Sequence, residues 1–592
     1  LSLSNMTQVD MGKSAWRKDG AFPPLPLVHT TSVIEQPVDL NTLSKRYAKY
    51  ADGFIANATA NKKPWLLYLA FQHVHIPDFV SPEFCMQSRR GLFGDAVEEL
   101  DWLAGQVIGS VNQHGARENT ITFFSSDNGP WTIEHLAGGS AGPFRDGKGS
   151  VWEGGVREPG IVHWPGTILP RIESEPVATY DIFPTVLKLA GVPLPADREF
   201  DGKDMMPLLT TPGATSAHDA TCIFYWKGCS NNKWCGVHAE ESPLVNKATP
   251  GLWAVRCARY KTHFVATNES CTVHYMPKGY YQTTPLIYRI DEDPSERFPL
   301  DPVLNKQEFD AQLKIATEAV TKHIASLDEV VNQIGRGEDS RIRQNGGSAF
   351  CGCPNQTFTS SAKPSCLCDP ANMNAFVCPS DRTPNFTTAA TRWGGETSDV
   401  LRRRQLSTDA VFFHASSSSS SEEKTGQKTE EHPKQPLSAA AGAKPNVIMF
   451  FVDDSGYGDW GMNGSPSTQT PHVDALAAGG ARFTQWYTAH AICTPSRAAL
   501  MTGRLPIRYG LASTSSGGQS VFVCRSDMGL PKSEMTMAEM LKKEGYRTHM
   551  IGTYRRLKSK AAATGLDIIR SQCTYNSPFS LSLSLLRFLL SL

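Results

Sequence analysis

Apolar positions in the first part of the chain follow two alternating periods. "KPWLLYLAF" is an unbroken apolar run of strand length. Residues 94 to 113 place Val97, Leu100, Ala104, Val107, Ile108 and Val111 on one helical face, and "NTITFF" follows as another strand. Together these predict a βαβ unit. Residues 181 to 191, "DIFPTVLKLAG", predict a helix with a glycine stop. Beyond residue 215 the pattern changes to short aromatic and β-branched runs, "CIFYW", "LWAVRCARYKTHF" and "PLIYRI", which predict a small antiparallel sheet. A helix should follow, because Phe309, Leu313, Ala316, Val320, Ile324 and Leu327 keep helical spacing.

Periodicity stops between residues 399 and 444, where "RRR", six serines from Ser416 to Ser421, and then Glu, Lys, Pro and Ala read as a linker. It resumes at "PNVIMFFVDDSGYGDW", a strand ending in two carboxylates, with helices expected near residues 471 to 480, 496 to 503 and 535 to 545. The closing "SPFSLSLSLLRFLLSL" is apolar but too short to span a bilayer, so no transmembrane span is expected.

Composition narrows the partners. The 592 residues suggest several units, and 58 basic residues balance 58 acidic ones, so no basic field favours nucleic acid. Five of the 14 cysteines, Cys351, Cys353, Cys366, Cys368 and Cys378, crowd one polar stretch, which points to disulfides. Asn-x-Ser/Thr sites at Asn5, Asn57, Asn268, Asn355, Asn385 and Asn463 suit the same extracytosolic setting, lysosomal or secreted. The chain opens "LSLSNMTQ", without a Met at its first position, a basic n-region or an apolar h-region, so the natural N-terminus is expected elsewhere.

Four stretches set polar residues just after an expected parallel strand, where open α/β sheets collect ligands. They carry Asp453 and Asp454, His75, Asp127 and Asn128, and Lys148. Three carboxylates and an amide oxygen make a hard donor set suited to Ca²⁺ or Mg²⁺. Taken singly each is ordinary: Asp-Asn-Gly is a good turn, and a lone His or Lys near a loop is common on surfaces. Cys493 adds weight, because Pro495 suits the first turn of a helix and so puts the thiol near N–H groups that attract an anion, with Arg497 one turn along.

These stretches together resemble the sulfatase family, in its arylsulfatase branch. "CTPSR" with "AALMTGRLPIRYG", "NVIMFFVDDSGYGD", "HVHIP", "SSDNGPW" and "GKGSVWEGGVREP" carry the resemblance, and "YKTHF" and "RGEDSRI" extend it. It implies an alkaline-phosphatase-like α/β core with a mixed, mostly parallel sheet between helices, plus a smaller α+β domain with an antiparallel sheet. It also implies that a formylglycine-generating enzyme converts Cys493 into formylglycine, whose hydrate attacks the sulfur of a sulfate ester on a small molecule, glycolipid or glycan. Asp453, Asp454, Asp127, Asn128 and position 493 would bind Ca²⁺ or Mg²⁺. Arg497 would hold the nucleophile, and His75 and Lys148 would contact the sulfate and the departing oxygen.

Domain expectations follow the same resemblance: residues 1–214 as the back part of the core, 215–345 as the smaller domain, 346–380 as a Cys-rich tail, 381–444 as the linker, 445–552 as the front part of the core, and 553–592 unassigned. Two features depart from the family. The halves are in reverse order, as expected either of a circular permutant or, the favoured reading, of the back half of one sulfatase joined to the front half of a tandem neighbour, through a true fusion or an imperfect gene model. Where the family has Lys-Trp-His-Leu-Gly, the chain reads Thr553-Tyr554-Arg555-Arg556-Leu557, so a weakened enzyme is expected. Three functions stay open: sulfate ester hydrolysis, an impaired or inactive sulfatase-like chain, and a disulfide-rich secreted binding module around residues 346 to 380.

Overall fold

The computed structural model describes residues 27–29, 32–35, 38–76, 78–228, 234–235, 251–267, 279–333, 444–512, 529–552 and 567–571. The expected Cys-rich tail, nearly all of the linker, Asn5, Asn268, Asn355, Asn385, Thr553 and Arg555 lie outside these residues. Among the described residues no helix is long and apolar enough to cross a membrane.

The apolar runs become the centre of an eleven-stranded sheet. Asn446–Val452 lies between Trp65–Ala70 and Thr120–Ser126, parallel to both, in register Val447 to Leu66 and Val447 to Ile121. Arg547–Gly552 and Asp567–Ser571 continue the parallel block beyond Trp65–Ala70. Strand 446–452 therefore sits in the middle of a sheet whose neighbours come from the other end of the sequence.

Both faces of this block are covered, which explains runs without polar alternation. Leu66, Tyr68 and Ala70 join Val447, Met449 and Phe451 in one core, while Trp65, Leu67 and Leu69 join Ile448, Phe450 and Val452 in the other. The alternate assignment is the strand period of two. Helix Leu92–Gln113 covers the second face with Val97, Leu100, Ala104 and Val107, as its periodicity predicts. It also bridges the two ends of the sequence, since Asp101 accepts the N–H groups of His472 and Val473, at 3.2 and 2.8 Å, in the first turn of helix Pro471–Gly479. A carboxylate there answers orphan N–H groups and the positive end of the helix dipole.

Several strands of this sheet were not expected, and two of them make it mixed. Arg157–His163 and Ala481–Tyr487 pair antiparallel with each other, and the first pairs antiparallel with Thr120–Ser126, making the sheet mixed.

The second sheet is small and antiparallel, as the change of pattern suggests, in the order Gly279–Arg289, Tyr260–Thr267, Leu252–Cys257, Ile223–Trp226. Helix Lys306–Ala325 packs Ala316 and Val320 against Phe224 and Trp226. A Cys222–Cys257 disulfide ties Leu252–Cys257 to the residue preceding Ile223–Trp226.

Candidate active site

The C-terminal ends of three adjacent parallel strands carry most of the site. Thr120–Ser126 delivers Asp127 and Asn128, Asn446–Val452 delivers Asp453 and Asp454, and Trp65–Ala70 leads through a short turn to His75. Backbone bonds fix the three loops to one another: Val74 N–H donates to Asp453 O at 3.1 Å, and Asp127 N–H to Val452 O at 3.1 Å. Asp454 has a φ of +62°, in the left-handed region that Asp tolerates better than most residues, and its N–H donates to Asp127 Oδ1 at 3.2 Å. Glycine follows Asn128 for a steric reason: a Cβ on Gly129 would lie 1.9 Å from Gly154 O.

Cys493 arrives from the other side. It is the first residue of helix Cys493–Thr502, with Pro495 in the first turn, so the expected helix start near 496 moves back to the cysteine itself. Its Sγ lies 3.3 Å from Asp453 Oδ1 and 3.6 Å from Asp454 Oδ1. Ligand atoms of Asp127, Asp453, Asp454 and Cys493 all fall within 4.8 Å of one another, and all four residues are buried.

Charge in this cluster is unbalanced. Arg497 Nε donates to Asp127 Oδ2 at 2.7 Å and its Nη2 lies 3.2 Å from Asp453 Oδ2, while Lys148 Nζ donates to Asp454 Oδ2 at 2.5 Å. Among the described residues, three carboxylates thus face two permanent cations in a buried site, where an unanswered charge is expensive. Burial, with Asp453 and Asp454 adding to it, pushes the Asp127 carboxyl up to about 7 in spite of Arg497. Asn128 donates through Nδ2 to Asp454 Oδ1 at 2.8 Å, and its buried Oδ1 has no hydrogen-bond partner among the described residues. A net negative, oxygen-rich cluster with an orphaned amide oxygen fits a hard divalent cation.

His75 and Lys148 form the opposite wall. His75 Nδ1 lies 2.6 Å from Ile76 O, a carbonyl that can only accept, so the proton is on Nδ1 and Nε2 faces Asp454 Oδ2 at 3.3 Å. A neutral His75 therefore offers a lone pair to the site, and a protonated one offers an N–H. Trp131 packs behind both, with Lys148 Nζ 4.7 Å from its ring centre and the His75 ring 5.8 Å away.

The structure brings together Cys493, Arg497, His75, Lys148, Asp453, Asp454, Asp127 and Asn128, which the sequence singled out from four separated stretches. Asn57 and Asn463 lie elsewhere; Asn57 is exposed on helix Leu43–Ala60. Sequence reasoning passed over Trp131, although "SSDNGPW" was in view. It also passed over Tyr68, whose hydroxyl lies 3.5 Å from Arg497 Nη1 and looked like core, and Glu158, a fully buried carboxyl with no hydrogen-bond partner on either oxygen. Burial, with Asp127 and Asp454 adding to it, raises Glu158 well above the usual carboxylate range.

Comparison with known proteins bears on this arrangement. The family model described as Sulfatase matches residues 8–192 and 445–577, and that for the C-terminal region of aryl-sulfatase matches residues 217–368. Steryl-sulfatase of Rattus norvegicus is 37% identical over 316 residues, covering 51% of this chain and 52% of the relative. Arylsulfatase A of Homo sapiens is 32% identical over 336 residues, covering 55% and 62%. The chain thus spans about half the length of the curated relatives it matches. Among solved structures, a sulfatase from Pseudoalteromonas sp. is similar at 25% identity and a TM-score of 0.42, over 50% of this chain and 56% of that one.

Proposed function

The chain belongs to the sulfatase family, and on that premise we propose that it hydrolyses sulfate esters of the arylsulfatase kind at the cluster around Cys493. The observation that carries this reading is the meeting of Asp453, Asp454 and Cys493 from one end of the chain with Asp127 from the other, all within 4.8 Å. The parallel strands that carry these residues are neighbours in the sheet although they come from opposite ends of the sequence, which supports this reading. The convergence of these residues weighs against the reading as an inactive sulfatase-like chain, while positions 553 and 555, where the family has Lys and His, lie outside the described residues.

A Ca²⁺ or Mg²⁺ ion would be held by Asp127, Asp453, Asp454, the orphaned Asn128 Oδ1 and the side chain at 493, and when bound it would supply Lewis acidity toward the sulfate oxygens. Formylglycine formed from Cys493 by a formylglycine-generating enzyme would supply a geminal diol, one hydroxyl to attack sulfur and the other to expel sulfate.

The other side chains orient and neutralise. Arg497, tied to Asp127 and Asp453, stands one helical turn from position 493 and holds that side chain against the carboxylates. Lys148 brings a fixed positive charge to the sulfate, which counts for more in a buried site than in water. His75 Nε2, its ring orientation set by Ile76 O, donates a proton to the departing ester oxygen and takes one back in the second step. A lysosomal or secreted location and a sulfated glycan, glycolipid or small molecule as substrate belong to the same reading.

The test is sulfate release from an aryl sulfate by protein made in a secretory host, with tryptic mass spectrometry reporting an aldehyde at position 493. Full conversion at 493 without sulfate release from any aryl, steryl or glycan ester would overturn the proposal. Release that survives Cys493→Ala would do so as well.

A further inference from the structure

Resting on that sulfate ester reading, we propose that Lys227, which belongs to the small antiparallel sheet, is a positioning residue for Lys148. It follows strand Ile223–Trp226 and is almost fully buried, at 5% exposure. Its Nζ donates to Gly149 O, it lies 4.1 Å from the Trp253 ring centre, and no carboxylate among the described residues pairs with it. Burial draws this ammonium down to about 7, opposed only by the field of Asp146.

Gly149 is the hinge between the two lysines. Its N–H donates to Ala491 O at 2.8 Å, two residues before Cys493, and its φ of +88° is the left-handed conformation glycine permits. On one side of it Lys148 points to Asp454, and Lys148 N–H donates to Pro130 O at 2.9 Å. The loop that presents Lys148 is thus held by the large sheet through Gly149 N–H and by the small sheet through Gly149 O. Without Lys227 that buried carbonyl loses its donor, and the loop loses its tie to the small sheet.

The choice of residue argues for function over packing. A buried ammonium with one hydrogen bond and one aromatic face is a costly way to fill this space, and Met would fill it more cheaply. Where folding alone would favour an apolar side chain, a retained charge points to the neighbouring site. On this proposal Lys227 acts through Lys148, and not through the Gly149–Ala491 bond toward Cys493, so its effect should vanish when Lys148 is gone.

A double-mutant cycle tests this. Lys227→Met should lower kcat/KM on an aryl sulfate about 10- to 100-fold, as expected when a catalytic group is misplaced by about 1 Å, with Tm unchanged or raised. Lys227→Arg, which keeps a donor and a charge, should recover most of the loss. Lys148→Met combined with Lys227→Met should be no worse than Lys148→Met alone. Losses that multiply in the double variant, a fully active Lys227→Met, or a loss that tracks a fall in Tm and is not recovered by Arg would each overturn the proposal. If the unsubstituted chain releases no sulfate, the hydrolysis reading fails separately, and the same cycle is read from calorimetric binding of inorganic sulfate. Weaker binding in Lys227→Met that does not compound with Lys148→Met supports the positioning role; unchanged or compounding losses sink it.

Discussion

Two buried charge clusters lie close together in this molecule and are built on opposite principles. Between the two sheets, Glu153 meets Lys261 Nζ at 2.8 Å, Arg157 Nη1 at 3.2 Å and the Tyr487 hydroxyl at 2.7 Å. Glu296 meets His263 Nε2 at 2.6 Å and Lys261 at 3.3 Å, and accepts the Glu153 N–H at 2.6 Å. Every oxygen of these two carboxylates is answered. Burial alone would raise Glu153, but Lys261, Arg157 and Arg256 outweigh it and hold the carboxyl down to about 2. At the strand ends the balance is reversed, with Asp127 pushed up to about 7 and an amide oxygen left unanswered. The first cluster answers every oxygen of its two carboxylates and joins the two sheets, whereas among the described residues the second leaves an amide oxygen open to a ligand.

The largest effect that would break this contrast is on activity. Asp453→Asn keeps the shape and removes one of the three crowded carboxylates, so kcat/KM on an aryl sulfate should fall by about 10²- to 10³-fold. Tm measured without divalent cations should hold or rise, because the remaining carboxylates then match Lys148 and Arg497. A sharp fall in cation-free Tm would show that the cluster is structural cement like its neighbour.

The converse substitution comes next in size. Glu153→Gln leaves Lys261 and Arg157 buried without a full counter-charge, a change that typically costs about 3–5 kcal/mol. Denaturant unfolding should show that loss, and a cost below about 1 kcal/mol would mean the network is not what joins the sheets. Third, Ca²⁺ or Mg²⁺ at a hundredfold its Kd should stabilise the unsubstituted chain by about 2.7 kcal/mol. Thermal melts should show this gain in Glu153→Gln and lose it in Asp127→Ala; equal gains in both would place the ion elsewhere.

How far the sequence reveals these clusters depends on where each signal resides. The three central parallel strands were legible because burial on both faces writes an unbroken apolar run, and the carboxylates that follow were legible because they sit next to those runs, whereas the parallel strand Arg547–Gly552 was not expected. Strand Arg157–His163 was not, since Pro159 and Gly160 read as a loop. Gly160 is required because a Cβ there would lie 2.5 Å from the Trp486 side chain, a contact invisible before folding. Strand Ala481–Tyr487 hides for a related reason: its pairing shifts register between Phe483 and Trp486, which spoils the alternation. Lys227 carries no local signal, as it matters through a partner distant in sequence, and Trp131, although it closes the motif "SSDNGPW", shows its contact with Lys148 only after folding. The family resemblance supplied roles for the site residues, whereas the charge imbalance that suits them to a cation became visible only in three dimensions.

The smallest effect concerns acid. Glu153 is held near 2 in the folded chain and titrates at about 4.3 when unfolded. Between those values the unfolded chain binds the proton and the folded chain does not, so the contribution of Glu153 to stability is complete above about pH 4.3 and drains away as pH falls toward 2. The difference in unfolding free energy between the unsubstituted chain and Glu153→Gln should therefore be widest at pH 6 and narrow steadily from pH 4 downward, since Gln cannot take up the proton. Other acids that titrate in this range are common to both proteins and cancel in the difference. Urea midpoints at pH 6, 4 and 3 measure it directly. A difference that stays constant across that range would show that Glu153 titrates normally in the folded state, and with that the contrast between a saturated and an unsaturated cluster would lose its electrostatic basis.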